Sequence, residues 1–338
     1  MSVDELLAQI TALGIKLWLD DSGALRYRAP KGAMTEDLSR RLVEHKKAIV
    51  ERLKTVVDQG PQRHSAGDGS NSALSFTQRR LWVTQQLDKG SAAYNVPLRL
   101  RLRGEVDVSA LAKAFERVVD RHQVLRTVYE TANDEPVAVA RPSAPWPLEC
   151  VDLRQETDPA AALERRLAAE AVRPFDLAAG PLMRTVMFRD SDDSRVLAVT
   201  LHHIVIDADS ASLLVAEVMA FYQGLVTGLP VRVPELPIQY GDFAVWQKRF
   251  LDSPELAAQL DYWKKQLAQA PAQASLPTDY PRGSDANAKA RAFSFVVDEE
   301  VQRNVRTVCR DGSYTPFMVL LAAYQLVMAR YGNTEDVY

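Results

Sequence analysis

Cysteine is nearly absent from this chain of 338 residues: only Cys150 and Cys309 occur, far apart and without metal-like spacing. That excludes a disulfide framework and a cysteine-based zinc site, and it suits a reducing cytosol. No apolar run approaches the roughly 18–20 residues that a bilayer crossing needs, so no membrane partner is expected. The opening MSVDELLAQI carries acidic residues where a signal peptide carries basic ones, which points away from export and toward a cytoplasmic protein. A large excess of either charge is also missing. The net charge is −3, which gives no reason to expect a nucleic-acid partner. No internal repeat recurs at a fixed period.

The charges that are present are unevenly spread. Residues 26–54 hold nine Lys/Arg against four Asp/Glu, a local balance of +5 on a mildly acidic chain. A solvated charged face accounts for such a segment, and so does an acidic partner.

The first fifty-odd residues read as a miniature domain. Ser2 and Glu5 have the spacing of a capping box, and Leu6, Leu7, Ile10 and Leu13 follow at helical spacing up to Gly14. Ile15, Leu17 and Leu19 alternate with Lys16 and Trp18. Asp20 to Gly23 is turn chemistry, and Ala24 to Arg28 returns as a second strand. A second helix is predicted from near Thr35, with Leu38, Leu42, Ile49 and Leu53 on one face. The order is α-β-β-α. A core this small is marginal alone, so a homodimer is an expectation, and a two-stranded hairpin leaves edges to which a peptide strand can add. Residues 56–72, rich in Gly, Ser and polar side chains, read as a flexible linker.

From Ala73 the pattern is α/β, so that with the small module ahead of it the chain is expected to be α+β/α/β. Leu98, Leu100 and Leu102 alternate with Arg99, Arg101 and Arg103, a half-buried strand with a basic outer face. Ser109 is the expected cap of a helix lined inward by Leu111, Phe115, Val118, Val119 and His122. Val196 to Leu201 is an apolar run suited to a strand buried on both faces. Directly after it stand His202 and His203, and Ser210 is the expected cap of the next helix. Residues 270–290 read as a crossover between lobes, Arg291 to Val297 as a strand, and the last residues as the start of another. That final position suggests a truncated second lobe.

The chemistry concentrates in His202-His203-Ile204-Val205-Ile206-Asp207. A neutral imidazole handles an amine proton near pH 7, and an aspartate close behind can orient the loop through a buried ion pair. Taken alone, the pair fits a structural role as well as a catalytic one. The motif resembles the His-His-x-x-x-Asp-Gly core of nonribosomal peptide synthetase condensation domains, and further motifs follow the family's order. They are Ser75 to Trp82, Arg121-His122-Gln123-Val124-Leu125-Arg126-Thr127, Arg173 to Leu177 with Gly180 to Arg184, Tyr240 to Gln247, and Tyr262-Trp263. Two departures stand at Ala208, in place of the motif glycine, and at Asp209.

The resemblance implies a chloramphenicol-acetyltransferase-like condensation fold, with a complete N-lobe over 73–248 and a partial C-lobe over 249–338. It implies a tunnel reached by the phosphopantetheine arms of donor and acceptor carrier proteins, and amide formation between their thioesters. No cofactor would belong to this chain itself. His203 would be the catalytic histidine, with His202 and Asp207 architectural. Arg121 and Arg126 would be supports; Arg126 is a candidate partner of Asp207, but the family's usual partner is the arginine of a later Gly-x-Pro-x-x-x-Arg segment, which would fall beyond Tyr338. Residues 1–55 resemble the N-terminal docking domains of the tubulysin-synthetase type, through Lys16-Leu17-Trp18-Leu19 and Leu25-Arg26-Tyr27. That implies an upstream subunit's acidic C-terminal docking peptide as partner, met by Lys16, Trp18, Arg26, Tyr27 and Arg28. The alternatives are a carrier-recruiting module with a degenerate site at Ala208, or a related acyltransferase or epimerisation domain.

Overall fold

The computed structural model describes residues 3–20, 23–30, 32–62, 73–268, 277, 279, 293, 295–334, 336 and 337. The chain divides into two compact units, residues 1–59 with 257–338, and residues 60–256.

In the first unit, α1 (Val3–Ala12) ends where Gly14 turns left-handed at φ 68°, a conformation glycine adopts without strain. Ser2 lies outside the described residues. Strands β1 (Lys16–Leu19) and β2 (Leu25–Arg28) pair antiparallel, with Trp18 opposite Arg26 and Lys16 opposite Arg28. Asp20 closes the turn by accepting the Ala24 N–H at 2.9 Å. Thr35 caps the next helix as expected, but that helix is two: α2 (Glu36–Glu44) and α3 (Lys46–Gln59). Where an unbroken helix would turn inward, the chain has His45 and Lys46. Leu38 and Leu42 before the break at His45, and Ile49 after it, belong to one core. The module is therefore α-β-β-α-α rather than α-β-β-α. Its core is Leu6, Ile10, Ile15, Leu38, Leu42 and Ile49.

The second unit is built on a four-stranded sheet. Helix α4 (Phe76–Leu87) leads into β3 (Asn95–Arg103), α5 (Val108–Arg121), a 3-10 turn (Gln123–Arg126), and a separate hairpin of β4 (Thr127–Ala132) and β5 (Glu135–Ala140). Then come β6 (Glu149–Asp152), α6 (Pro159–Val172), β7 (Met183–Arg189), β8 (Ser194–His202), α7 (Ala208–Thr227) and α8 (Tyr240–Leu251). The sheet order is β3-β8-β7-β6, antiparallel except for the β6–β7 pair. Leu197, Val199 and Leu201 of β8 pack in the cluster shared with α5 and α7, while Val196 and Ala198 face the cluster of α6. Cover on both faces explains the continuous apolar run of β8.

Two caps differ from expectation. Asp107, not Ser109, caps α5, and Asp207, not Ser210, caps α7. In each case a carboxylate accepts an orphan amide at the helix start and also meets the positive end of the helix dipole. Helix α7 has the length and composition for crossing a bilayer, although Asp209 and Glu217 interrupt its apolar run. It instead packs along α5, with Leu214 and Val218 buried.

Helix α9 (Pro254–Gln266) spans the division between the units. Further on in the first unit, α10 (Glu299–Gly312) and α11 (Pro316–Gly332) carry N-caps Asp298 and Thr315. The strand expected over Arg291 to Val297 is not formed at the described residues 293 and 295–297, nor is one at 336 and 337. Residues 270–276 and 280–290, expected as a crossover, lie outside the described residues.

Candidate active site

Strand β8 delivers two adjacent histidines into opposite surroundings. Strand alternation turns consecutive side chains to opposite sides, and the chain leaves the sheet between the two. His202, the last strand residue, is 1% exposed. Its Nδ1 accepts the Ile204 N–H at 3.1 Å, so Nε2 bears the ring hydrogen. Nε2 is buried and meets no acceptor among the described residues. The ring lies near Tyr94 and is edge-on to Phe175, with centroids 6.2 and 6.1 Å away. Burial, with the neighbouring His203 adding to it, pushes its pKa down to about 4. At neutral pH it is an uncharged brace for the turn.

His203 is exposed, and its backbone is pinned where its N–H donates to the Tyr94 carbonyl at 2.8 Å. Its ring has no hydrogen-bond partner among the described residues and lines a cavity of about 520 Å³. That volume lies in the range of small-molecule sites. The walls come from α4, the turn after α5, the 203–207 loop, and the first turns of α7 and α8, and they are largely apolar.

The loop is held from beneath by residues that sequence reasoning passed over. Gln78 is buried, and its Nε2 donates to the Tyr129 hydroxyl at 2.7 Å and to the Ile204 carbonyl at 3.1 Å. The same Gln78 completes a capping box with Ser75, and Ser75 Oγ is 3.0 Å from the Tyr240 hydroxyl. Burial, with Tyr240 nearby, pushes the Tyr129 phenol far up, so it stays neutral. On the opposite wall, Gln239 accepts the Gln123 N–H at 3.0 Å and donates to the Arg121 carbonyl at 3.1 Å, tying α8 to the end of α5. The Ser-x-x-Gln spacing at 75–78 was the signal available for the first; nothing local marks Gln239.

Asp207 is exposed, not buried in an ion pair. Its Oδ1 accepts both the Ser210 N–H at 2.8 Å and the Ser210 hydroxyl at 2.5 Å. Those bonds hold its carboxyl below the usual carboxylate range. Arg126 is not its partner. The Arg126 guanidinium donates to the Arg141 carbonyl at 2.5 Å, bracing the β4–β5 hairpin. Arg121 donates to Glu217 at 3.2 Å and to the Pro234 carbonyl. Glu217 also takes His122 Nε2 at 2.7 Å. Ala208 is the first residue of α7, exposed, and not among the positive-φ residues. Its backbone therefore makes no demand for glycine, and its methyl does not line the cavity.

On the small module, Lys16, Trp18, Arg26 and Arg28 share the outward face of the hairpin, with Trp18 45% exposed. Tyr27 lies on the face of Leu17 and Leu25 but is still 57% exposed. Arg26 is held by Asp20 at 2.7 Å. Among the described residues no group of His, Cys, Asp and Glu has metal-site geometry.

Comparison with known proteins separates the small N-terminal module from the rest of the chain. The Condensation domain family matches residues 70–338, and the TubC N-terminal docking domain family matches residues 3–54. The chain is 37% identical over 265 residues to malpibaldin synthetase of Mortierella alpina, covering 78% of this chain and 5% of that protein. It is 36% identical over 312 residues to phosphinothricin tripeptide synthetase PhsC of Streptomyces viridochromogenes, covering 89% of this chain and 29% of that protein. The chain thus spans a small part of these relatives. Among solved structures, the EpoB cyclization-docking bidomain from Sorangium cellulosum superposes with a TM-score of 0.68 at 23% identity, covering 98% of this chain and 66% of that one. The first condensation domain of the CDA synthetase gives 0.66 at 20% identity, covering 80% and 64%. These likenesses show the fold.

Proposed function

The chain belongs to the condensation-domain family, with a TubC-type docking domain ahead of it, and from that premise we propose that it forms an amide between two carrier-bound thioesters. The observation that carries this reading is the placement of His203, fixed by its backbone at the end of a buried strand and open to an apolar cavity of about 520 Å³. The acceptor amine attacks the donor thioester carbonyl, the C–N bond forms, and the C–S bond breaks. The nitrogen then gives up a proton and the leaving thiolate gains one. A neutral imidazole next to both atoms suits that transfer. His202 has its one accepting nitrogen occupied by Ile204, so it serves as support. Asp207 fixes the start of α7 and Gln78 the loop, which keeps His203 in place.

The substrates would arrive on phosphopantetheine arms of a donor and an acceptor carrier protein, and the module would act in the cytoplasm. The upstream subunit would be recruited through its acidic C-terminal peptide, added as a strand to the hairpin and met by Lys16, Trp18, Arg26, Tyr27 and Arg28. The outward basic face and the half-exposed rings support this. The small core supports self-association of the docking module. No observation favours the degenerate-site reading, because Ala208 sits in ordinary helical backbone outside the cavity wall.

The experiment is transfer between loaded carriers in the full-length subunit, read by intact-protein mass spectrometry of the acceptor carrier. His203→Ala is expected to stop transfer; undiminished transfer would remove His203 from the mechanism.

A further inference from the structure

Amide formation from an acceptor that arrives as an ammonium ion has two protons to place. One must leave before the nitrogen has a lone pair to attack with. The other leaves after the C–N bond has formed. His203 answers for the second. The cavity contains another histidine, His122, at the end of α5.

His122 is built differently from His203. Its Nε2 lies 2.7 Å from Glu217 Oε2, and the same carboxylate oxygen accepts from Arg121 Nε at 3.2 Å. A carboxylate that already accepts from a guanidinium accepts from the imidazole as well, so Nε2 bears the hydrogen. That leaves Nδ1 as the one ring atom able to take a proton. Nδ1 has no hydrogen-bond partner among the described residues. The imidazolium formed on proton uptake would have an anion at 2.7 Å to balance it. The other charged or titratable groups around it are Arg121 beside it, Arg126 on the following turn, Tyr240 and Asp242 at the start of α8, and His203 and Asp207 on the loop lining the same cavity.

We propose that His122, oriented by Glu217, accepts the proton that the acceptor ammonium loses before attack. This rests on the reading of the cavity as the site of amide formation. The ammonium passes a proton to His122 Nδ1 and becomes a free amine. The amine adds to the thioester carbonyl, the C–S bond breaks, and the second proton moves through His203 to the thiolate sulfur. His122 then releases its proton to solvent, so one ammonium and one thioester give one amide, one thiol and one proton. The adjacent Arg121 is a positioning residue: together with the Pro234 carbonyl it fixes the Glu217 carboxylate.

The test compares transfer by the full-length subunit from about pH 6 to about pH 9, for wild type, His122→Gln, Glu217→Gln and His203→Ala. His122→Gln retains an N–H toward Glu217 but cannot take up a proton. It is expected to be about tenfold slow near pH 7, where an α-amino acceptor is still mostly ammonium, and within about twofold of wild type near pH 9, where solvent has already deprotonated the amine. Glu217→Gln should shift the profile in the same direction. Substituting hydroxylamine, which is already an unprotonated nucleophile at neutral pH, for the acceptor should erase the His122→Gln defect from pH 7 upward. A loss equal at all pH values, or none, overturns the role of His122. Full transfer by His203→Ala overturns the reading of the cavity instead, which keeps the two failures apart.

Discussion

The docking module and the sheet lobe solve the problem of presenting functional groups in opposite ways. The module has six buried apolar residues and puts Trp18, Tyr27, Lys16, Arg26 and Arg28 on its surface. The lobe covers β8 on both faces and can therefore enclose a cavity, with one histidine in the core and its neighbour at the opening. Enclosure requires apolar area to spare, and a domain of about fifty residues has little. A small fold is left with edges and faces for recognition, while a larger one can set a side chain at the mouth of an apolar cavity.

The sharpest way to break this contrast is to weaken one core and watch the other. Ile49 is fully buried in the small module. Ile49→Ala is expected to cost about 2–5 kcal/mol, a large share of what such a module has. Limited proteolysis should then open residues 1–59 while the lobe stays resistant and still transfers between carriers supplied in excess. Joint unfolding would show that the two share their stability.

A second effect, about 3 kcal/mol at most, belongs to the lobe alone. His202 has its pKa lowered from 6.5 to about 4 in the folded chain. The unfolded chain therefore binds a proton that the folded one refuses, and stability falls as pH drops from about 6.5 toward about 4. Urea midpoints measured across that window should decline in wild type, and His202→Gln should remove that part of the slope. Identical slopes would mean that His202 titrates normally. A third and smaller effect concerns the hairpin: Trp18→Ala should weaken binding of an acidic C-terminal peptide about tenfold, and raised salt should weaken it further. Affinity insensitive to both would place the peptide elsewhere.

Much of this organisation was legible in the sequence because it is local. The hairpin follows from alternation around Asp20 to Gly23, and the buried strand before His202 from an unbroken apolar run. What was missed depends on choices between neighbours or on distant residues. Asp107 and Asp207 displaced the serines two and three positions later as caps, because a carboxylate gains from the helix dipole as well as from the hydrogen bond. Reading Asp207 as one half of a buried ion pair overlooked that simpler use. The break at His45 carries no glycine or proline to announce it. Glu217 lies 95 positions from His122, so only the packing of α7 along α5 brings them together.

The division of labour between the adjacent histidines is tested most directly by measuring transfer and thermal midpoint together for His203→Ala in the full-length subunit. Transfer is expected to fall by about 10²–10⁴-fold, with the midpoint close to wild type, since the exposed His203 ring has no hydrogen-bond partner among the described residues. Undiminished transfer, or a loss of transfer that only tracks a loss of folded protein, would contradict a catalytic His203 beside a structural His202.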